Sequence, residues 1–360
     1  MNKVSNVFLI MMVALHCVAQ ENKTDFEKSV DLESLFKKEI LGQNIVGAAA
    51  GYSINGQTIW QTTGGFADRE NKKPFQKETK VRMASIAKSM TAIALMQLVE
   101  KGLIDLDLPI QTYLSDYPRH PTTQITVRHL LSHTSGIKGY KNGKEAETKI
   151  NYPTLSEAVK IFIDRELLFE PGSAYSYTSY GYTLLGLIIE KVSGLTFEKY
   201  MQEHIFDVAE MSNTGVDVYG VEEEHSSKLY NRRKPRKVKP GKENNLSNRV
   251  PGGGFYTTIE DMLKFGNAVI DNVFIKKESL DLMRKRHSIN TETRYGLGWF
   301  LYSPEPNEGK IIGHSGGQTG CSSQMSIYPE KQIVSVVLAN TSRTEVIGFT
   351  VELLKIATSQ

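Results

Sequence analysis

A serine three residues ahead of a lysine can do acyl chemistry when the lysine lies close enough to take the hydroxyl proton and is itself neutral. The chain contains this spacing three times, at Ser34 and Lys37, Ser85 and Lys88, and Ser135 and Lys138. Context separates the copies. Lys37 neighbours Lys38 and Glu39 on an ordinary solvated face, and Gly136 interrupts the third copy. Only Ser85 stands at the start of a strongly apolar helix, in VRMASIAKSMTAIALMQLVEKG, residues 81–102. There the spacing puts serine and lysine on one face, with the serine NH still free in the first turn. Burial disfavours the ammonium form, so Lys88 is expected to titrate low, and the helix N-terminus favours negative charge developing at Ser85. Alone, the window fits a capping serine and a snorkelling lysine slightly better.

Two downstream segments change that balance. In PGSAYSYTSYGYTLLGLIIEKVSG, residues 171–194, an aromatic loop runs into an apolar helix and places Tyr177, Thr178 and Ser179 just ahead of its start. A tyrosine beside a cationic lysine can titrate low enough to act as a base. Tyr175, Tyr180 and Tyr182 read equally well as packing aromatics. In IIGHSGGQTGCSS, residues 311–323, β-like residues precede His314, Ser315, Gly316 and Gly317. Glycines there let a substrate lie close to the strand, and a free NH could complete an oxyanion hole. His129 and His133 are four apart, a spacing that could bind zinc, but the intervening Leu-Leu-Ser lacks a glutamate and no third ligand is obvious. The favoured reading is a local structural role at the Thr134-Ser135-Gly136 turn, with no metal and no cofactor.

The elements that must position these residues follow from periodicity. Residues 24–41 read as an amphipathic helix. VGAAAGYSINGQTIWQTTGGFAD then reads as two strands joined at Asn55-Gly56, a dipeptide suited to a type I′ turn. A mostly helical middle follows, at 86–101, 126–132, 154–167, 181–193, 196–206 and 258–270. The β pattern returns in GLGWFLYS, KIIGHSGG, CSSQMSIYP and QIVSVVLAN, and a helix closes the chain around 344–358. The expected fold is therefore α+β and two-lobed. One antiparallel sheet is flanked by the terminal helices (24–84 and 290–360), and a mainly helical lobe (85–289) is inserted into it, with the site in the cleft between.

Ser-x-x-Lys at Ser85, Tyr-x-Ser at Tyr177 and His-Ser-Gly at His314, in that order, resemble the serine β-lactamase and penicillin-binding protein superfamily. The spacing is similar to its class C β-lactamase, D-alanyl-D-alanine carboxypeptidase and esterase branch (peptidase S12). LLSHTSGI and GGGFYTTIEDMLKFGNAV support the likeness, which spans roughly residues 28–358. The resemblance implies Ser85 as nucleophile, Lys88 as its activating partner and Tyr177 as general base and later acid. It further implies an oxyanion hole from the NH groups of Ser85 and Gly317, and substrate contacts from Ser179, His314, Ser315 and Gly316. Ser179 stands where asparagine is usual and His314 where lysine is usual. Both departures favour a peptidase, esterase or amidase over efficient β-lactam turnover. β-Lactamase or D-alanyl-D-alanine carboxypeptidase activity is the alternative. A reading of another class is a catalytically idle binding or self-assembling protein that keeps the fold, a homo-oligomer.

With 360 residues, 40% hydrophobic and 23% charged, the chain can bury a large core. Its net charge of +3 gives no reason to expect nucleic acid as partner. RRKPRKVKPGKENN, residues 232–245, holds seven Lys or Arg and reads as a solvated excursion. At the N-terminus, Lys3, the apolar run VFLIMMVAL and small residues Cys17 and Ala19 before Gln20 read as a removed export signal, residues 1–19. The run is too short to span a bilayer, so no stable membrane insertion is expected. The expectation is a periplasmic or secreted protein, residues 20–360, acting on a small-molecule or peptide substrate.

Overall fold

The computed structural model describes residues 32–119, 122–234, 237–287, 294–302 and 310–360. The export signal expected at 1–19 and the start of the first helix lie outside these residues. Seven strands, numbered along the chain, are β1 (Gly47–Ile54), β2 (Gln57–Asp68), β3 (Lys73–Pro74), β4 (Phe300–Leu301), β5 (Ile312–Gln318), β6 (Cys321–Tyr328) and β7 (Ile333–Ala339). They form one antiparallel sheet in the order β3-β2-β1-β7-β6-β5-β4. The chain's two ends thus meet at the β1–β7 pair, Ala48 opposite Ala339. At the β1–β2 connection Asn55 and Gly56 both take positive φ, 50° and 77°, as a type I′ turn requires.

The central strands alternate between two cores. On β1, Ala48, Ala50 and Tyr52 face helix α1 (residues 32–39) and the C-terminal helix, and on β7 Ile333, Val337 and Ala339 join them. The opposite residues, Ala49 on β1 and Val334, Val336 and Leu338 on β7, join a larger core shared with the helical lobe. That lobe is centred on α2 (Ala87–Glu100) and α3 (Tyr180–Ser193), both apolar along most of their length. Gly186 lets α3 pass the Val250–Gly253 turn, because a Cβ there would lie 2.3 Å from Pro251 Cγ.

Helix α4 (Ile259–Ile270) packs on the sheet itself, although it comes from the middle of the chain. Leu263 lies against Gly51, Gly266 against Val334, and Ser53 Oγ donates to Asn267 Oδ1 at 2.7 Å. The last helix, α5 (Ile347–Thr358), covers the other face.

Two expectations are corrected. Among the described residues of GLGWFLYS only Phe300–Leu301 form strand, because Gly296 and Leu297 instead bond to the backbone of Trp299 and Met283. The basic stretch is solvated as expected, with Arg233, Lys234, Lys237, Lys239 and Lys242 exposed, but it is not an irregular loop. Tyr230–Lys234 and Lys237–Pro240 form a hairpin that pairs in parallel with Thr341–Ser342. Tyr230 anchors it, buried, with its hydroxyl donating to Glu70 Oε2 at 2.6 Å and accepting the Arg69 NH at 2.8 Å. Among the described residues no helix is long and apolar enough to cross a membrane.

The outer core is held by an aromatic cluster, with Phe349 of α5 6.0 Å from Phe36 and 6.4 Å from Trp60 between ring centroids. Phe349→Ala is expected to lower unfolding stability by about 3–5 kcal/mol, the cost of emptying a buried aromatic site. A urea-denaturation midpoint equal to that of the native protein would contradict this packing.

Candidate active site

Ser85 sits in a single 3-10 turn, Ala84–Ile86, that feeds directly into α2. Three tethers fix the turn's approach. Met83 NH donates to Phe255 O at 3.0 Å, Ser323 Oγ donates to Met83 O at 2.8 Å, and the Cys321 thiol donates to Arg82 O at 2.8 Å. The buried Arg82 side chain adds bonds to Asp217 Oδ2 and Asn244 Oδ1, both 2.6 Å. Ala84 is consequently held at φ 51°, a left-handed conformation uncommon for a residue with a Cβ. β5 passes against the same turn. A Cβ on Gly316 would lie 2.4 Å from Met83 O, so this position requires glycine.

Lys88, one helical turn on, is fully buried. Its Nζ lies 3.0 Å from Ser85 Oγ and 3.1 Å from Ser179 Oγ, and donates to Gly252 O at 2.6 Å. The faces of Tyr177 and Tyr182 wall it in, their ring centroids 4.9 and 5.6 Å from the nitrogen. Desolvation, and secondarily the positive charge of Arg249, holds its pKa well below the ordinary lysine range. The lysine is therefore biased to the neutral amine.

Tyr177 departs from expectation. The residue as a whole is 38% exposed, but the surrounding protein desolvates the hydroxyl and pushes its pKa well above the usual value, the hydrogen bond with Ser85 opposing that shift. The expectation of a low-titrating phenol rested on a cationic neighbour, and burial works against that charge. Tyr177 is held as a phenol.

His314 is buried beneath this group, its ring 6.2 Å from that of Tyr177. Nδ1 lies 2.7 Å from Ser315 O, which can only accept, so Nδ1 carries the proton and Nε2 accepts from the Tyr295 hydroxyl at 3.0 Å. Burial, aided by Lys88, lowers its pKa to about 3. With both nitrogens engaged and no charge, His314 offers a substrate no free polar atom, which corrects the expectation of a substrate contact from its side chain. Ser315 is half-buried, and Gly317 is exposed, with open space where a side chain would stand. Beyond Gly313, β5 has no strand on its outer side among the described residues. Ser85, Lys88, Tyr177 and Ser179 are thus gathered at one point, with His314 to Gly317 alongside.

The other two serine-lysine pairs are elsewhere. Ser34 and Lys37 are exposed on α1, and Ser135 is buried before Gly136, whose φ is 77°. His129 closes a capping box with Thr126. His133, read only as a turn residue, lies under the site, its ring 4.2 Å from that of Tyr177. Its Nδ1 accepts the Thr178 NH at 3.4 Å, and its buried Nε2 has no hydrogen-bond partner among the described residues. Tyr295 and the Gly252 carbonyl were also missed. Only the LLSHTSGI and GGGF likenesses pointed near two of them. Among the described residues no cluster of three His, Cys, Asp or Glu could hold a metal ion.

Comparisons with known proteins find relatives over most of the chain. The human mitochondrial serine β-lactamase-like protein LACTB is 29% identical over 85% of this chain and 72% of its own length. The octameric penicillin-binding protein homologue from Pyrococcus abyssi superposes with a TM-score of 0.75 at 27% identity, over 89% of this chain and 75% of that one. The D-amino acid amidase from Ochrobactrum anthropi SV3 gives a TM-score of 0.75 at 25% identity, over 86% and 91% of the two chains. The family model described as Beta-lactamase matches residues 30–354, and the chain belongs to that family.

Proposed function

We propose that the protein is an exported serine hydrolase that cleaves a peptide, amide or ester bond through an acyl-enzyme on Ser85. The observation that carries the reading is the buried Lys88 within 3.0 Å of Ser85 Oγ. A neutral amine has two protons and one lone pair. The protons satisfy Gly252 O and Ser179 Oγ, and the lone pair is left for the Ser85 hydroxyl.

In the first step Lys88 takes the Ser85 proton while Oγ bonds to the substrate carbonyl carbon. The carbonyl oxygen becomes an oxyanion, received by the NH groups of Ser85 and Gly317. As the C–N or C–O bond breaks, the leaving atom takes a proton from the Tyr177 phenol, which Lys88 re-supplies. A water then attacks the ester on Ser85 and gives a proton to the same pair, which passes it to Ser85 Oγ as the acyl C–O bond breaks and the acid leaves. His133 positions Tyr177 through its ring contact and its bond to Thr178 NH.

The D-amino acid amidase relative supports amide chemistry on this fold, and Ser179 and the neutral His314 favour it over β-lactam turnover. The octameric homologue supports self-association as a second reading, of an assembly protein in which Ser85 is idle. Turnover separates the two.

Lys88→Met is expected to lower kcat/KM on an activated acyl ester about 10²–10⁴-fold, and Ser85→Ala to abolish it. Undiminished hydrolysis by either variant would overturn the mechanism. Native kcat/KM should rise with pH as Lys88 loses its proton. Because the folded pKa lies below the unfolded one, the unfolded chain binds more protons between the two values, and stability rises with pH across that window. The stability gained by Lys88→Met should therefore be largest at low pH and shrink as pH rises. A pH-independent difference in melting temperature would contradict a depressed Lys88. For export, mass spectrometry of the protein recovered from a secreting host should show Gln20 as the first residue, and an intact Met1 would refute the signal.

A further inference from the structure

The basic stretch has no part in that mechanism, yet its hairpin overhangs a cavity of about 990 Å³ beside the site. One wall is Ser315 to Thr319, the end of β5 and its turn. Arg232, Arg233, Lys239 and Lys242 line it from the hairpin side, and Arg343 from the turn into α5. Arg343 is held at φ 59°, a conformation a side chain adopts at a cost. Among the described residues, none of the five cations has an ion pair or hydrogen-bond partner for its side chain.

The two carboxylates on the walls are already engaged. Glu147 accepts the Thr319 hydroxyl at 2.6 Å, and Glu345 Oε1 accepts the NH groups of Ile347 and Gly348 at 2.8 and 3.2 Å. Five cations against two carboxylates leave a surplus of three positive charges around one concavity. Their mutual repulsion is tolerated because the hairpin is pinned elsewhere, by Tyr230 and by its pairing with Thr341–Ser342. The cavity also adjoins the reaction centre. Gly317 is part of its wall, and Gln318 Nε2 reaches back to donate to Gly253 O at 3.2 Å, next to the carbonyl that holds Lys88.

We propose that this cavity is a subsite for clustered oxyanions carried by the substrate. It would select acyl compounds that bear two or more carboxylates, or a phosphate, on the part that runs past Gly317. The charge surplus then serves recognition, since arginine forks pair with such groups bidentately and gain most where the walls exclude water. The substrate assignment rests on the hydrolase reading, whereas the anion site itself does not.

Binding to the full-length Ser85→Ala protein tests it without turnover. By titration calorimetry at low salt, N-acetyl-triglutamate or pyrophosphate should bind at least about tenfold more tightly than N-acetyl-triglutamine. Arg232→Gln/Arg343→Gln should erase about tenfold of that preference, and added salt should weaken it. Preference for the peptide assigns the site to acidic peptides, and preference for pyrophosphate assigns it to phosphate. Equal binding of the acidic and neutral peptides with no pyrophosphate binding, or a preference untouched by the double variant, would overturn the subsite. Neither result depends on whether the native protein hydrolyses an acyl bond, so the two readings fail separately.

Discussion

Taking the Lys88 ammonium out of water is the constraint around which the site is arranged. Burying an unpaired charge costs several kcal/mol even after the protein relaxes, and among the described residues no carboxylate pairs with Lys88 to offset it. Giving up the proton removes most of that cost. The same environment that makes the ammonium unfavourable, the apolar face of α2 and the rings of Tyr177 and Tyr182, leaves an amine with a lone pair beside Ser85. The Gly252 carbonyl and the Ser179 hydroxyl take the remaining protons. Burial and the placement of that lone pair beside Ser85 are one arrangement, seen from two sides.

That arrangement needs three distant segments to meet within a few ångströms, which the sheet and the helical lobe accomplish together. β6 ties down the backbone of Arg82 and Met83, β5 lies against Ala84 through Gly316, and α3 brings in Ser179 at its first turn. The strain at Ala84 is the local consequence of fitting a helix start against a strand edge. Its upkeep comes from the two cores on either face of the sheet.

Much of this was legible in the sequence because it depends on period and spacing. Asn55-Gly56 specified its turn through backbone chemistry alone, and the apolar run after Ser85 distinguished that serine from Ser34 and Ser135. What escaped depends on neighbours remote in sequence. The downward pull on His314 comes from its burial beside Tyr295, the upward push on Tyr177 from protein packed around its hydroxyl, and neither is written in their own windows. His133 gave no local sign of lying beneath Tyr177, since only the fold of the His133–Gly136 turn brings it there. The basic stretch misled for a related reason. Its charge pattern resembles a solvated loop, and the single buried Tyr230 that makes it a hairpin is easily overlooked.

The family supplies hydrolases and an octameric assembly on one scaffold, so the decisive question is whether Ser85 is a nucleophile in this chain. Intact-protein mass spectrometry after treatment with a fluorophosphonate asks it directly. A Ser85 activated by Lys88 should give one adduct per chain, located on Ser85, absent from Ser85→Ala and slowed in Lys88→Met. No adduct on the folded native protein, or equal labelling of Ser85→Ala, would contradict it.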